Sequence, residues 1–76
     1  MNAQRRKSLR KVIEQLETLR EELESIQEDE QDAFDNMPES LQYSERGETM
    51  EEAIATIEDA VSSLDDTTTY LQQIIE

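Results

Sequence analysis

The stretch from Ala33 to Thr49, AFDNMPESLQYSERGET, decides the fold of this 76-residue chain. It holds the only proline and the only glycine, and a regular apolar pattern runs into it from one side and out of it on the other. Proline disfavours helical backbone in the residue before it and suits the first turn of a new helix, so Met37-Pro38 predicts that a first helix stops near Asn36. Asn36 followed by Glu39 has the spacing of a cap and its returning carboxylate. A short helical turn over Pro38 to Arg46 is expected, with Leu41 folded onto the bundle end and Gly47 as a left-handed stop. Thr49 and Glu52 form a capping box just before an apolar run, which puts the start of the second long helix at Thr49.

Upstream, Leu9, Val12, Leu16, Leu19, Leu23 and Ile26 alternate spacings of three and four, the seam of a helix packed along another helix. Ile13 and Phe34 flank that seam and widen it beyond the two-in-seven pattern of a dimeric coiled coil. The register continues to Glu30, Ala33 and Met37. Glu30 puts a carboxylate where an apolar residue is expected, either as a solvated break near the bundle end or as a polar position facing a partner. No glycine or proline interrupts Gln4 to Asp35, and the intervening residues are good helix formers. A first helix of roughly 30 residues is expected from this run; alternatively Ser8 caps it, giving helix 1 over 9–36 and leaving 1–8 as a loose basic arm.

Downstream, Met50, Ile54, Ile57, Val61, Leu64, Thr68, Leu71 and Ile75 carry the same alternation, flanked by Ala53, Ala60, Thr67 and Ile74. Helix 2 is expected over 49–75, with 37–48 as the corner. Thr67, Thr68 and Thr69 are poor helix formers in a row. They are tolerated if Thr68 packs in the seam and returns its hydroxyl to the preceding turn; a functional threonine cluster is the alternative.

Two long helices joined by a compact corner lie antiparallel. The expected fold is therefore all-α: one antiparallel helical hairpin with a short helical corner. Counting outward from the corner pairs Phe34 with Met50 or Ile54, Ile26 with Ile57 or Val61, Leu19 with Leu64, and Leu9 with Ile75. A chain this short buries only about 60% of its unfolded surface. Self-association into a four-helix bundle is expected, a dimer first, with Ile13, Phe34 and Ile74 covered between copies. Its core is drawn from Ile13, Leu16, Leu19, Leu23, Ile26, Phe34, Ile57, Val61, Leu64 and Leu71.

The net charge is −13, from 20 acidic and 7 basic residues, and the signs are segregated. Arg5, Arg6, Lys7, Arg10 and Lys11 occupy the first eleven residues without an acid, whereas 12–76 hold every acid against only Arg20 and Arg46. Such a body repels nucleic acid and anionic lipid and attracts basic surfaces. In a hairpin the basic segment lies beside the C-terminal end of the second helix, where the helix dipole favours positive charge.

Cysteine and histidine are absent, which removes disulfides, the ligands of nearly all structural zinc sites, the thiol nucleophile and the usual general base. No apolar run approaches the length of a membrane span. Asp29, Asp32 and Asp35 recur every three residues but do not match a calcium loop. No enzyme activity, cofactor or metal is expected. Three readings are open. The chain is a binding protein whose carboxylates stand in for DNA phosphates in a basic cleft, a nucleotide-sequestering oligomer using Arg5, Arg6, Arg10 or Arg46 at subunit junctions, or a purely structural assembly module.

The corner sequence AFDNMPESLQ, followed by SERGE and MEEAI, resembles a family of short acidic uncharacterised proteins of bacteriophages and prophages, in which a similar corner joins two heptad-like helices. The resemblance covers roughly Leu9 to Ile75 and implies a helical hairpin of phage origin, located in the cytoplasm of an infected or lysogenic bacterium. It favours an inhibitor that binds a basic host nucleic-acid or defence protein. Asp35, Asn36, Glu39, Glu45 and Arg46 are the candidate partner-binding residues at the corner. Alternatively they cap and pair locally, with Arg46 reaching Glu45, Glu48 or the end of helix 1.

Overall fold

The structure, a computed structural model, describes all residues from Met1 to Glu76. It is a helical hairpin of three helices, α1 (Ala3–Asp35), α2 (Glu39–Gln42) and α3 (Glu45–Ile75), with α1 and α3 packed along each other. The molecule measures 58 × 15 × 13 Å and its radius of gyration is 17.3 Å. A compact domain of this length would have about 11 Å. The rod shape leaves every helix one side to bury and the rest to solvent.

Helix α1 starts at Ala3, so the basic segment is helical from its third residue and not a loose arm. Asn2 caps it, its Oδ1 accepting the Arg5 N–H at 2.9 Å. Ser8 is internal and donates its hydroxyl back to the Gln4 carbonyl. The helix ends at Asp35 with Asn36 as its cap, as the proline requires.

The corner departs from the sequence reading in four ways. The short helix covers Glu39–Gln42 only, and Pro38 precedes it with no side-chain cap from Asn36. Leu41 is exposed, not folded onto the bundle end. Helix α3 starts four residues before Thr49: Ser44 is the cap, accepting the Gly47 N–H, while Thr49 donates to the Glu45 carbonyl from inside the helix. Gly47 has no positive φ and is buried in the first turn of α3. A Cβ there would sit 2.6 Å from the Gln42 carbonyl carbon and 2.7 Å from the Leu41 oxygen. Glycine is therefore required for close backbone approach and not for a left-handed turn. Gln42 completes the corner by donating its amide at 2.9 Å to the Phe34 carbonyl, which also accepts the Met37 N–H.

The seam of α1 is also rotated from the expected one. Leu9, Leu16, Leu23 and Met37 are covered as predicted, but the second line is Ile13, Arg20, Gln27 and Phe34. Val12, Leu19 and Ile26 remain 41%, 49% and 53% exposed. Leu19 therefore does not share the inner seam with Leu64, and Glu30 lies half-buried within the seam instead of breaking it. On α3 the expected line holds from Met50 to Ile75, with Thr68 inside it. The hydroxyl that returns to the preceding turn belongs to Thr67, which donates to the Ser63 carbonyl.

Ile13 is the one buried aliphatic side chain, at 6% exposure, and it is buried within a single hairpin. The expectation that Ile13 waits for a second copy is thus replaced: its side chain is enclosed in the groove between α1 and α3. Phe34 is half-covered in that same groove, and of the three only Ile74 stays exposed.

Candidate functional site

With the seam fixed, heptad geometry divides the rest of the rod into two flanks and a back. Arg20 anchors the division. Its Nη1 donates to Asp65 Oδ1 at 2.7 Å and its Nε lies 3.6 Å from Glu24 Oε1, so Glu24 of α1 and Asp65 of α3 are on one side. These two carboxylates and their hydrogen bond hold the Arg20 guanidinium above its usual pKa, the Asp65 bond contributing most.

The side marked by Asp65 is acidic. Its inner columns repeat every seven residues as Arg10, Glu17, Glu24 and Gln31 on α1 and Glu51, Glu58, Asp65 and Gln72 on α3. The next columns outward add Glu14, Glu21, Glu28 and Asp35 on α1 and Glu48 on α3. Ten acids thus share one flank with Lys7 and Arg10 at its N-terminal end and with the Arg20 guanidinium, which pairs with Glu24 and Asp65. Successive members of a column are about 10.5 Å apart along the helix.

The opposite flank is nearly without charge. Val12, Leu19, Ile26 and Ala33 on α1 run beside Ala53, Ala60, Thr67 and Ile74 on α3, bordered outside by Ser8, Gln15, Thr49, Thr56, Ser63 and Tyr70. Glu22 and Asp29 bring charge to its border, and Arg5 and Arg46 end its two inner columns at opposite ends of the rod. In sequence the uncharged flank is hard to tell from the seam, because the two read as one wide apolar stripe until Arg20 and Gln27 are assigned to the seam.

The five corner residues, Asp35, Asn36, Glu39, Glu45 and Arg46, are brought together at one end and all are exposed. Asp35 accepts a bond from the Gln31 amide at 2.9 Å. Arg46 makes neither an ion pair nor a side-chain hydrogen bond, so the expected local pairing with Glu45 or Glu48 is not formed. Leu41, expected on the bundle end, and the 79% exposed Tyr43 share this tip; Tyr43 is not singled out by the sequence reading, and a tyrosine in an otherwise polar corner is the signal that could have found it. Arg5, Arg6 and Arg10 stand at the other end of the 58 Å rod, and within one chain nothing unites them with Arg46.

The one concavity, beside Lys11, Glu14, Gln15, Thr18 and Leu19, is lined by α1 alone and is largely open to solvent. No three acidic side chains converge as metal ligands would, Asp29, Asp32 and Asp35 included. No helix is long and apolar enough to cross a membrane. No family model, no curated protein and no solved structure matches the chain.

Proposed function

We propose that this chain is a non-enzymatic binding protein whose acidic flank engages a basic surface of a nucleic-acid or defence protein in a bacterial host, as a mimic of DNA that inhibits its target. The observation that carries the reading is the segregation of ten acids onto one flank. They extend over about 32 Å of helix, or one negative charge per roughly 3 Å. Duplex DNA carries one per about 1.7 Å, so the flank reaches on the order of half that density on a rigid rod of smaller width. Only Glu24 and Asp65 among them are paired, with Arg20; the other carboxylates attract clustered lysine and arginine and speed the encounter.

A catalytic alternative has little to draw on, since the chain lacks histidine and cysteine and its acids sit in open solvent. The resemblance of the corner to short phage proteins supplies the bacterial host in this proposal. Arg46, Tyr43 and Leu41 at the tip add a second contact whose polar and apolar groups are free to discriminate among basic partners.

The test is capture from a bacterial lysate at low and at moderate salt, using the chain and a variant carrying Glu17→Lys, Glu24→Lys and Glu58→Lys. The expected result is a basic nucleic-acid-binding or defence protein that is retained at low salt, released as salt rises, and absent from the variant. Retention indifferent to both salt and charge reversal overturns the proposal.

A further inference from the structure

We propose that the uncharged flank is a self-association surface, on which a second copy of this chain packs across a two-fold axis at Leu19 to close an antiparallel four-helix bundle. Interface cores are marked by depletion of charge and by exposed apolar side chains in the free subunit. This flank has both features. Val12, Leu19 and Ile26 stand in a line on α1, Ile74 and Tyr70 are exposed on α3, and the acids lie almost entirely elsewhere.

The occupant is fixed by symmetry. Arg20 bonds Asp65 and the Gln27 amide approaches the Ile54 carbonyl, so Leu19 stands level with Leu64 across the hairpin. The α1 stripe is centred on Leu19, with Val12 and Ile26 seven residues to either side. The α3 stripe is centred between Ala60 and Thr67, which is the level of Ser63 and Leu64. Both stripes therefore share one midpoint. A two-fold axis crossing the helices there lays each stripe on its own copy, as an isologous contact requires. Leu19 then meets Leu19, Val12 meets Ile26, and the large Ile74 lies over the small Ala53.

Charge selects this axis over the one parallel to the helices. The crossing axis sets Arg5, Arg6, Lys7, Arg10 and Lys11 of one copy at the level of residues 27–33 of the other, where Glu28, Asp29, Glu30 and Asp32 stand. The parallel axis would gather all these cations at one end and both acidic corners at the other. None of the five cations has an ion-pair partner within its own chain. A flank of a rod 58 Å long and 15 Å wide offers on the order of 800 Å², the area a standard interface takes from each partner.

Because the chain has no cysteine, Leu19→Cys places a single thiol on the proposed axis. Under mild oxidation this variant is expected to become a covalent dimer of twice 8.9 kDa almost completely, while Glu24→Cys on the acidic flank forms no cross-link. In light scattering the unmodified chain at tens of micromolar is expected at the dimer mass, and Leu19→Glu at the monomer mass with its helicity retained. A monomeric unmodified chain overturns the proposal. So does a dimer in which Leu19→Cys fails to cross-link, since that result selects the other axis, or one in which Glu24→Cys cross-links equally well.

Discussion

Arg20 Nη1 donates to Asp65 Oδ1 at 2.7 Å, the one ion pair that joins the two long helices. The pair sits halfway along the rod and occupies a seam place where an aliphatic residue would pack as well. Its Nε is enclosed without a hydrogen-bond acceptor. Arg20 therefore fixes which flank faces which more than it adds to cohesion: a hairpin rotated by one column would leave the guanidinium away from Asp65.

Replacing Arg20 by leucine is expected to leave the melting temperature unchanged or raised, because an apolar side chain suits the seam and a solvent-screened ion pair contributes little. Arg20→Ala should lower it through lost packing of the aliphatic stem. A double-mutant cycle with Asp65→Asn, read by circular dichroism melts, should show a small coupling that vanishes in 1 M salt, where the screening length falls to about 3 Å. Coupling that survives such salt would make the pair a source of cohesion between α1 and α3 and not chiefly a marker of their register.

Gly47→Ala inverts the usual rule for a helix interior. In an unhindered helical site alanine stabilises by roughly 0.5–1 kcal/mol over glycine. At Gly47 the added carbon meets the backbone of Leu41 and Gln42, which cannot swing aside as a side chain would. A loss of at least about 2 kcal/mol is expected, on the scale of overpacking, together with opening of the corner seen as faster hydrogen exchange at Ser44 to Glu48. Stabilisation by this substitution would show that α2 and α3 do not approach as described.

Ser44 and Thr49 compete for the start of α3, and their alanine variants separate them. Ser44 accepts the Gly47 N–H and also donates to the Leu41 carbonyl, whereas Thr49 only bonds back to Glu45. Ser44→Ala should cost about 1 kcal/mol, the usual worth of a cap, and Thr49→Ala less than about 0.5 kcal/mol, as for a solvent-facing helical site. Urea unfolding of the two variants gives the comparison.

The hairpin itself is legible in the sequence because apolar residues alternate by three and four on both sides of a proline-containing break. The phase of α1 is not. Leu9, Leu16 and Leu23 satisfy that spacing equally well with Val12, Leu19 and Ile26 or with Ile13, Arg20, Gln27 and Phe34, and composition favours the more aliphatic line. What selects the other line is tertiary: Phe34 is covered just before the chain reverses, Arg20 finds Asp65, and Gln27 reaches the Ile54 carbonyl at 3.5 Å. The capping box at Thr49 misleads for a similar reason, since Ser44 has no carboxylate three residues on, only the glycine that lets α3 start against α2.

Ile13 and Ile26 look alike in sequence and are expected to behave differently on truncation. Ile13 is enclosed within one hairpin, so Ile13→Ala leaves a cavity between α1 and α3 and should cost at least about 2 kcal/mol at every protein concentration. Ile26 is half exposed in the single chain, and under the proposed self-association its apolar area counts only when a second copy covers it. Ile26→Ala should therefore cost little at nanomolar concentration, where the chain is dissociated, and more as concentration rises, because a partner that binds only the folded form adds to apparent stability by mass action. Thermal melts over a thousandfold concentration range measure both. Equal, concentration-independent losses at the two sites would place Ile26 inside the hairpin and remove the distinction between the seam and the uncharged flank.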